Sequence, residues 1–309
     1  MGWRPAVRGP RPAASDGGRR GPSARVLGPS ALAEARHVCA LDPVASVLAA
    51  ARLDVADRAG LAAAGGQLWG YPDSGSLRAV CWAGANLVPV VPGSVPRDDA
   101  DDAVAAFAGL AREQGRRSSS IVGEQRAVLR MWEILSRVWP PPREVRTEQP
   151  SLVIDRDPDV EPDPAVRPST LAELDLVLPA CVRMFTEEVG YSPVAGGGSA
   201  YAARVRSLIA DRRSFVRIDT DAAGESRVVF KAELGAVSQG VAQVQGVWVE
   251  PGLRGQGLAA PGMAAVVALT RRHVAPVVSL YVNSFNSPAL AAYRRVGFEQ
   301  AGTFATVLF

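Results

Sequence analysis

The stretch VWVEPGLRGQGLAAPG, from Val247 to Gly262, places an arginine and a glycine-rich loop between a β-type segment and an alanine-rich helix. The first amides of a helix have no partner within the helix, and the helix dipole favours an anion at this end. Gly255 and Gly257 allow a ligand to approach the backbone closely because they carry no Cβ. The pattern predicts a phosphate-binding loop, and the rest of the chain must indicate whose phosphate it binds.

The composition excludes several classes of protein. A chain of 309 residues with 48% hydrophobic residues and a net charge of +3 is typical of a globular protein of two domains and argues against nucleic acid as a partner. The three cysteines lie far apart, with no spacing typical of a metal site or a disulfide framework, which favours the reducing cytoplasm. The arginine-rich N-terminus lacks the apolar segment of a signal peptide. The apolar run over residues 258–282 contains charged residues and a proline, so no membrane span is expected.

The first half of the chain has a weaker pattern than the second. Residues 1–24 are rich in Gly, Pro and Arg and are expected to be a disordered tail. Residues 25–140 are expected to form a small α+β domain, with helices around 31–52, a strand pair within 67–91, and further helices around 101–113 and 121–138. The Pro-rich, acidic segment 141–165 is expected to be a linker, in which the apolar residues SLVI could pair as a strand.

Residues 166–309 follow a sharper order. Two helices precede three strands, the last two joined across Ser238–Gly240 like a hairpin. The glycine loop, a helix, a strand, a further helix and a final strand complete the chain. Ser169 or Thr170 is expected to cap the first helix, and Ser287 the last, which Gly297 ends.

The glycine loop permits a second interpretation. The letters GQGLAA from Gly255 match GxGxxA, the fingerprint of a Rossmann dinucleotide site. That site also needs an acidic residue about 20 positions further on, to bind the ribose. The next strand ends at Asn283 instead, and Glu299 is the first acidic residue after the loop. The strands before the loop also form a meander, so this interpretation is disfavoured.

The motif RxxGxA, from Arg254 to Ala259, and the later element NSPALAAYRRVGF, from Asn286 to Phe298, resemble two signatures of the GNAT superfamily of N-acetyltransferases. The resemblance covers residues 166–309 and includes the order of elements. It implies a GNAT fold of the α+β class, with a splayed mixed sheet and acetyl-CoA in the cleft as cosubstrate. It extends to actinobacterial members with an additional N-terminal domain. Here that domain has no RxxGxA loop, so we expect no second coenzyme site, and its coarse order is compatible with a degenerate copy of the GNAT fold.

The resemblance also implies roles for individual residues. An amide near Val249 would polarise the thioester carbonyl, and Tyr293 would protonate the departing thiolate, although an aromatic residue at this position is also typical of a core. The residues implied in coenzyme binding are Val247, Trp248, Val249, Arg254, Gly255, Gln256, Gly257, Leu258, Ala259, Ala260 and Asn286.

The general base stays open at this stage, because the strand that leads to the loop carries Gln243 and Gln245 instead of a carboxylate. Glu233 and Glu250 are candidates, Glu187 and Glu188 are alternatives to them, and a water relay is a further alternative. The residues expected to border the acceptor amine are Glu187, Glu188 and Tyr191. We expect no metal, a small-molecule or peptide amine as acceptor, and a monomer or homodimer. The competing hypothesis is a regulator that binds acyl-CoA without catalysis.

Overall fold

The computed structural model describes residues 22–309. The tail expected at the N-terminus therefore lies outside the described residues as far as residue 21. No helix in the described part of the chain is both long enough and apolar enough to cross a membrane.

The elements fall into two successive sets, numbered here along the chain. The first set is β1 (Arg25–Leu27), α1 (Leu32–Ala40), α2 (Pro43–Ala59), α3 (Leu61–Ala64), β2 (Gln67–Tyr71), β3 (Ala79–Ala83), β4 (Asn86–Val90), α4 (Arg97–Gln114), β5 (Ser120–Glu124), α5 (Gln125–Leu135) and β6 (Glu144–Ile154). The second set is β7 (Arg167–Pro168), α6 (Leu174–Val189), α7 (Ser199–Ala210), β8 (Ser214–Thr220), β9 (Ser226–Ser238), β10 (Val241–Val249), α8 (Ala259–His273), β11 (Val277–Tyr281), α9 (Ser287–Val296) and β12 (Glu299–Leu308).

Both sets have the same order of elements, apart from the short helix α3. Over the described residues they share one twelve-stranded sheet, in the order β1-β2-β3-β4-β5-β12-β6-β11-β10-β9-β8-β7. When each strand of the first set is exchanged for its counterpart in the second, the same order results, read from the opposite edge of the sheet. The N-terminal half is therefore a second copy of the GNAT-like topology, which the sequence indicated only as compatible.

The last strand of each half lies against the other half. β6 pairs antiparallel with β11, β12 pairs antiparallel with β5, and β6 and β12 pair with each other at the centre. The linker expected at 141–165 is therefore wrong for its first part, since residues 144–154 form a central strand, although the pairing expected for SLVI, residues 151–154, is confirmed. The prolines and charges of this segment disfavour a strand locally, but hydrogen bonds from β12 on one side and β11 on the other outweigh that preference.

The parallel pairs separate after a few residues. β10 pairs with β11 only from Val241 to Gln243, and β4 pairs with β5 only at Asn86 and Leu87. Beyond these points each pair diverges, which leaves a cleft in each half. The splayed mixed sheet expected for the second half is confirmed.

The helices cover both faces of the sheet around the C-terminal cleft. The core under α8 includes Phe230 and Met263, whereas α6 covers the opposite face around Trp248. Helix α2 of the N-terminal half crosses onto the C-terminal half, where Val47 packs with Ala236 and Val241. The N-terminal half thus forms a wall of the α6 side.

The local turn chemistry of the second half agrees with the sequence. Gln239 and Gly240 have φ values of 50° and 77°, as the two-residue hairpin turn requires. Thr170 and Glu173 form a capping box before α6. In the first half the prediction is wrong at Ile121, which lies in β5 and not in a helix. A short apolar run that continues into a helical pattern gives no periodic signal at the boundary.

Candidate active site

The glycine loop lies between the end of β10 and the start of α8. Gly255 and Gly257 have φ values of 79° and 82°, in the left-handed region that side chains disfavour. A Cβ added at either glycine would meet no atom within 4 Å, so the loop borders open space. Leu258 precedes α8 without a side-chain cap, and the first amides of the helix have no partner within it. This arrangement fits the pyrophosphate of a coenzyme.

The loop arginine is held by an acidic residue of α6. Arg254 forms an ion pair with Glu187 at 2.6 Å, and its Nε donates to the carbonyl of Val249 at 3.1 Å. Trp248 Nε1 also donates to Glu187 at 3.4 Å. Glu187, expected at the acceptor, therefore contacts the coenzyme loop.

Strand β10 has a bulge just before the residues expected to bind the coenzyme arm. Gln245 is opposite Glu233 and Trp248 is opposite Lys231, so Gly246 and Val247 together face a single residue of β9. Gly246 has a φ of 59°, which its lack of a side chain permits. Because β11 has already diverged, the edge of β10 from Val247 to Val249 is available to an extended ligand.

Tyr293 lies on helix α9, and Asn286 is the residue immediately before that helix. The Tyr293 side chain is 7% exposed and packs edge-on against Phe298, with ring centroids 6.0 Å apart. Burial, and then the charge of Glu188, raise the pKa of Tyr293 above its ordinary value. The phenol therefore keeps its proton at neutral pH. Asn286 caps α9 by accepting from the Ala289 amide at 3.3 Å, so the expected cap at Ser287 is wrong by one residue.

The two candidate bases both contact cations. Glu250 lies 3.3 Å from Arg183, and Glu233 lies 2.8 Å from Lys231. Lys231 is 0% exposed and Glu233 is 4% exposed. Burial acts to raise the pKa of Glu233, but the Lys231 ammonium outweighs it and the pKa is lowered. Burial likewise acts to lower the pKa of Lys231, but Glu233 outweighs it and the pKa is raised, so both groups are charged.

A thiol and a backbone carbonyl complete this buried cluster. Cys181 donates to Glu233 at 3.2 Å, and burial raises the pKa of this thiol to about 12. Lys231 Nζ donates to the carbonyl of Gly246 at 2.9 Å. The cluster therefore touches the bulge of β10 from the α6 side.

The other two residues expected at the acceptor lie near the end of α6. Glu188 lies 3.5 Å from Arg146. Burial, and then the charge of Glu188, raise the pKa of both Tyr281 and Tyr293. Tyr191 is 52% exposed, and the Arg143 guanidinium lies 5.1 Å from its ring centroid. The charge of Glu188 thus affects the pKa of two tyrosines, whereas Glu187 forms an ion pair with the arginine of the glycine loop.

Two protein-family models match separate parts of the chain. The Acetyltransferase (GNAT) family matches residues 199–298, and Domain of unknown function (DUF4081) matches residues 66–177. The chain carries a GNAT acetyltransferase domain. Comparison with curated protein sequences gives no match.

Solved structures similar to the chain span both of its halves. A GNAT-family acetyltransferase from Colwellia psychrerythraea is 12% identical with a TM-score of 0.54, over 93% of this chain and 99% of the other. A GCN5-related N-acetyltransferase from Sphaerobacter thermophilus is 17% identical with a TM-score of 0.57, over 92% and 93%. A tandem GNAT protein from the clavulanic acid biosynthesis pathway is 14% identical with a TM-score of 0.54, over 93% and 98%. At these identities the likeness shows the fold alone.

The N-terminal counterpart of the GNAT loop has different chemistry. The loop after β4 contains Gly93, which lies outside the left-handed region. The first turn of α4 carries Asp98 and Asp99, and Asp101 forms an ion pair with Arg126 at 2.8 Å. These carboxylates already occupy the positive end of the helix dipole and oppose an anion. The same feature is visible in the sequence as RDDADD, residues 97–102.

Sequence reasoning missed two features of the GNAT cleft. Gln243 and Ser279 face each other where β10 and β11 separate, and Gln243 Nε2 and Ser279 Oγ are buried without a partner among the described residues. Lys231, the only lysine in the sequence, was not selected as a site residue. A charged residue within the buried run RVVFKAEL was the available signal. No group of three or more potential metal ligands occurs among residues 22–309.

Proposed function

We propose that this protein is an N-acetyltransferase that uses acetyl-CoA and acts by direct transfer on a primary amine. The observation that carries the proposal is the continuity of two sites. The free edge of β10 at Val247–Val249 leads directly into the loop with Gly255 and Gly257. A ligand with a pyrophosphate and an extended amide arm, such as coenzyme A, fits both.

The residues of the chain then have separate tasks. Bound acetyl-CoA supplies an activated acetyl group with a thiolate as leaving group. Amides of residues 255–260 and the Arg254 side chain hold the pyrophosphate, and the β10 edge orients the arm. Tyr293, protonated at neutral pH, is the proton donor to the leaving group. Asn286 contacts the arm from the start of α9 while it caps that helix.

The acceptor is proposed to approach from the α6 side, where the carboxylate of Glu188 is exposed at the end of α6. A carboxylate in this position favours a cationic amine. Glu233 and Glu250 are both ion-paired, so the proton of the amine is more easily removed through a water relay than by either carboxylate directly. The acceptor can be a small molecule or a peptide.

The pairing of both carboxylates also favours the second candidate, a regulator that binds acyl-CoA without turnover. The N-terminal half, which has no coenzyme loop, would then be the output domain. Release of free thiol separates the two functions, because a regulator binds acetyl-CoA but leaves the thioester intact.

The decisive experiment incubates the purified full-length protein with acetyl-CoA and a panel of amines and peptide N-termini. Free thiol is measured with a thiol reagent, and the products are identified by mass spectrometry. Thiol release that depends on an amine, with a matching mass increase of one acetyl group, supports the enzyme. Calorimetric binding of acetyl-CoA without thiol release on any amine supports the regulator, and binding of a nicotinamide dinucleotide alone contradicts both.

A further inference from the structure

The buried pair Lys231–Glu233 lies directly beneath the bulge that begins the coenzyme-binding edge of β10. Successive side chains of a strand point to opposite faces. Phe230 and Ala232 pack in the core on the α8 side, whereas Glu233 accepts from Cys181 of α6. The ion pair is therefore on the α6 side of the sheet, away from the glycine loop and α8.

The contact of Lys231 with Gly246 sets the orientation of one peptide group. The only cis peptide bond in the described chain joins Tyr71 and Pro72, so the bond between Gly246 and Val247 is trans. In a planar trans peptide the C=O and the N–H point in opposite directions. Because Lys231 Nζ binds the Gly246 carbonyl at 2.9 Å, the Val247 amide is turned away from the α6 side.

The bulge breaks the regular pairing of β10 and β9 at this peptide. Gly246 and Val247 face a single residue of β9, so the regular ladder is interrupted there. A Cβ at Gly246 would lie 3.0 Å from Met184 Cε, 3.3 Å from Lys231 Nζ and 3.4 Å from Glu233 Oε2. The side chains of Met184, Lys231 and Glu233 thus enclose this peptide on the α6 side.

We propose that Lys231 and Glu233 are positioning residues that fix the Gly246–Val247 peptide, so that the Val247 amide donates to the thioester carbonyl of the acyl group. Glu233 keeps Lys231 charged and in place, and Lys231 holds the carbonyl. This assignment rests on the proposed function, and it gives Glu233 a role other than proton transfer. A preoriented amide at a developing oxyanion is worth about a hundredfold or more in rate.

The test uses the full-length double variant Lys231→Met/Glu233→Gln, which removes the hold on Gly246 without leaving a buried unpaired charge. Replacing a buried ion pair with neutral groups is often close to neutral for stability. Tyr201→Phe is the matched control, because it removes a hydrogen bond to the Cys181 carbonyl of α6 and touches neither Lys231 nor Glu233. Three quantities are measured for each: the Kd for coenzyme A, kcat with acetyl-CoA, and amide hydrogen exchange of peptides covering residues 244–250.

We expect the double variant to bind coenzyme A within about threefold of wild type, to lose at least about tenfold in kcat, and to exchange faster over residues 244–250. Tyr201→Phe should match wild type in all three. Unchanged exchange and kcat in a folded double variant would overturn the proposal, as would an equal loss in Tyr201→Phe, because that loss would indicate a packing effect only.

Two further measurements apply if the double variant does not fold or if the wild-type protein does not bind coenzyme A. If the double variant does not fold, Gly246→Ala moves the same peptide directly, and a wild-type kcat in that variant overturns the proposal. If wild-type protein binds no coenzyme A, the proposed function fails, but hydrogen exchange still tests whether the ion pair holds the bulge.

Discussion

At the scale of the residue, burial and pairing distinguish side chains that look equivalent in the sequence. Glu187 and Glu188 are neighbours in the sequence, yet they have different effects. Glu187 forms an ion pair with Arg254, whereas the charge of Glu188 adds to the effect of burial in raising the pKa of Tyr293 and Tyr281. Tyr293 is both part of a core and adjacent to the cleft, so the packing and catalytic interpretations of the sequence are compatible. The resulting predictions separate the role of each group.

The substitution Tyr293→Phe is expected to leave the Kd for acetyl-CoA unchanged and to lower kcat about a hundredfold, since it removes the proton donor and keeps the ring. The raised pKa of Tyr293 means that its proton is retained as the pH rises through 10.0, the ordinary value for tyrosine. The wild-type kcat should therefore show no alkaline loss from this group between pH 7 and about pH 10. A Phe variant with wild-type kcat throughout this range would exclude Tyr293 from the mechanism.

The substitutions Glu187→Gln and Glu188→Gln should affect different ligands. In the first, Arg254 no longer has its carboxylate partner and is free for the pyrophosphate, so the Kd for coenzyme A should fall by up to about fivefold, the range of an exposed ion pair. In the second, the KM for a cationic acceptor should rise and the Kd for coenzyme A should not change. The two variants serve as controls for each other in calorimetry and steady-state kinetics. The reverse pattern would contradict the assignment.

At the scale of the element, the segment from β10 to α8 combines a bulge, a loop of two left-handed glycines and an uncapped helix start. The loop depends on its glycines and the helix start on amides without a partner in the helix, and both features can be recognised in the sequence. Its counterpart after β4 has the same position in the topology but carries aspartates at the helix start. The same fold therefore has a helix start without carboxylates at this position in one half only.

The substitution Gly257→Val should abolish detectable binding of acetyl-CoA, because a branched side chain would fill the space next to the loop. A non-glycine residue in the left-handed region costs about 1–2 kcal/mol, so the protein should stay folded. Gly252→Val is the control, since this nearby glycine also borders open space but lies outside the left-handed region. Circular dichroism and calorimetry provide the two measurements. Full binding by the Gly257 variant would show that the loop does not hold the coenzyme.

At the scale of the whole molecule, the exchange of β6 and β12 joins the halves into one sheet. Ala305 and Val307 of β12 lie in the hydrophobic core of the N-terminal half, together with Phe107 and Met131. Neither half can therefore be separated at residue 140 without losing a central strand. This explains why a domain boundary inferred from prolines and charge falls inside the sheet.

The substitution Val307→Ala, in the C-terminal half of the sequence, is expected to destabilise the N-terminal core by about 1–3 kcal/mol. Five of the six tryptophans of the chain precede residue 140, and four of these, Trp69, Trp82, Trp132 and Trp139, lie in the described N-terminal half, so denaturation followed by tryptophan fluorescence reports mainly on that core. Val274→Ala, at a position that is 38% exposed, is the control. We expect one transition, shifted to lower denaturant only in the Val307 variant. A fluorescence midpoint that stays at the wild-type value would contradict the exchange of strands.

Local chemistry alone determined much of this protein. The loop from Arg254 to Ala259, the hairpin turn at Gln239–Gly240 and the order of elements over residues 166–309 follow from glycine conformation, helix capping and strand periodicity, which act over a few residues. Only the tertiary structure decided that residues 144–154 form a central strand, that Lys231 binds the Gly246 carbonyl, and that Glu187 and Glu188 pair with different arginines. These features depend on partners far away in the sequence, and long-range pairing leaves no periodic pattern in the segment that it orders.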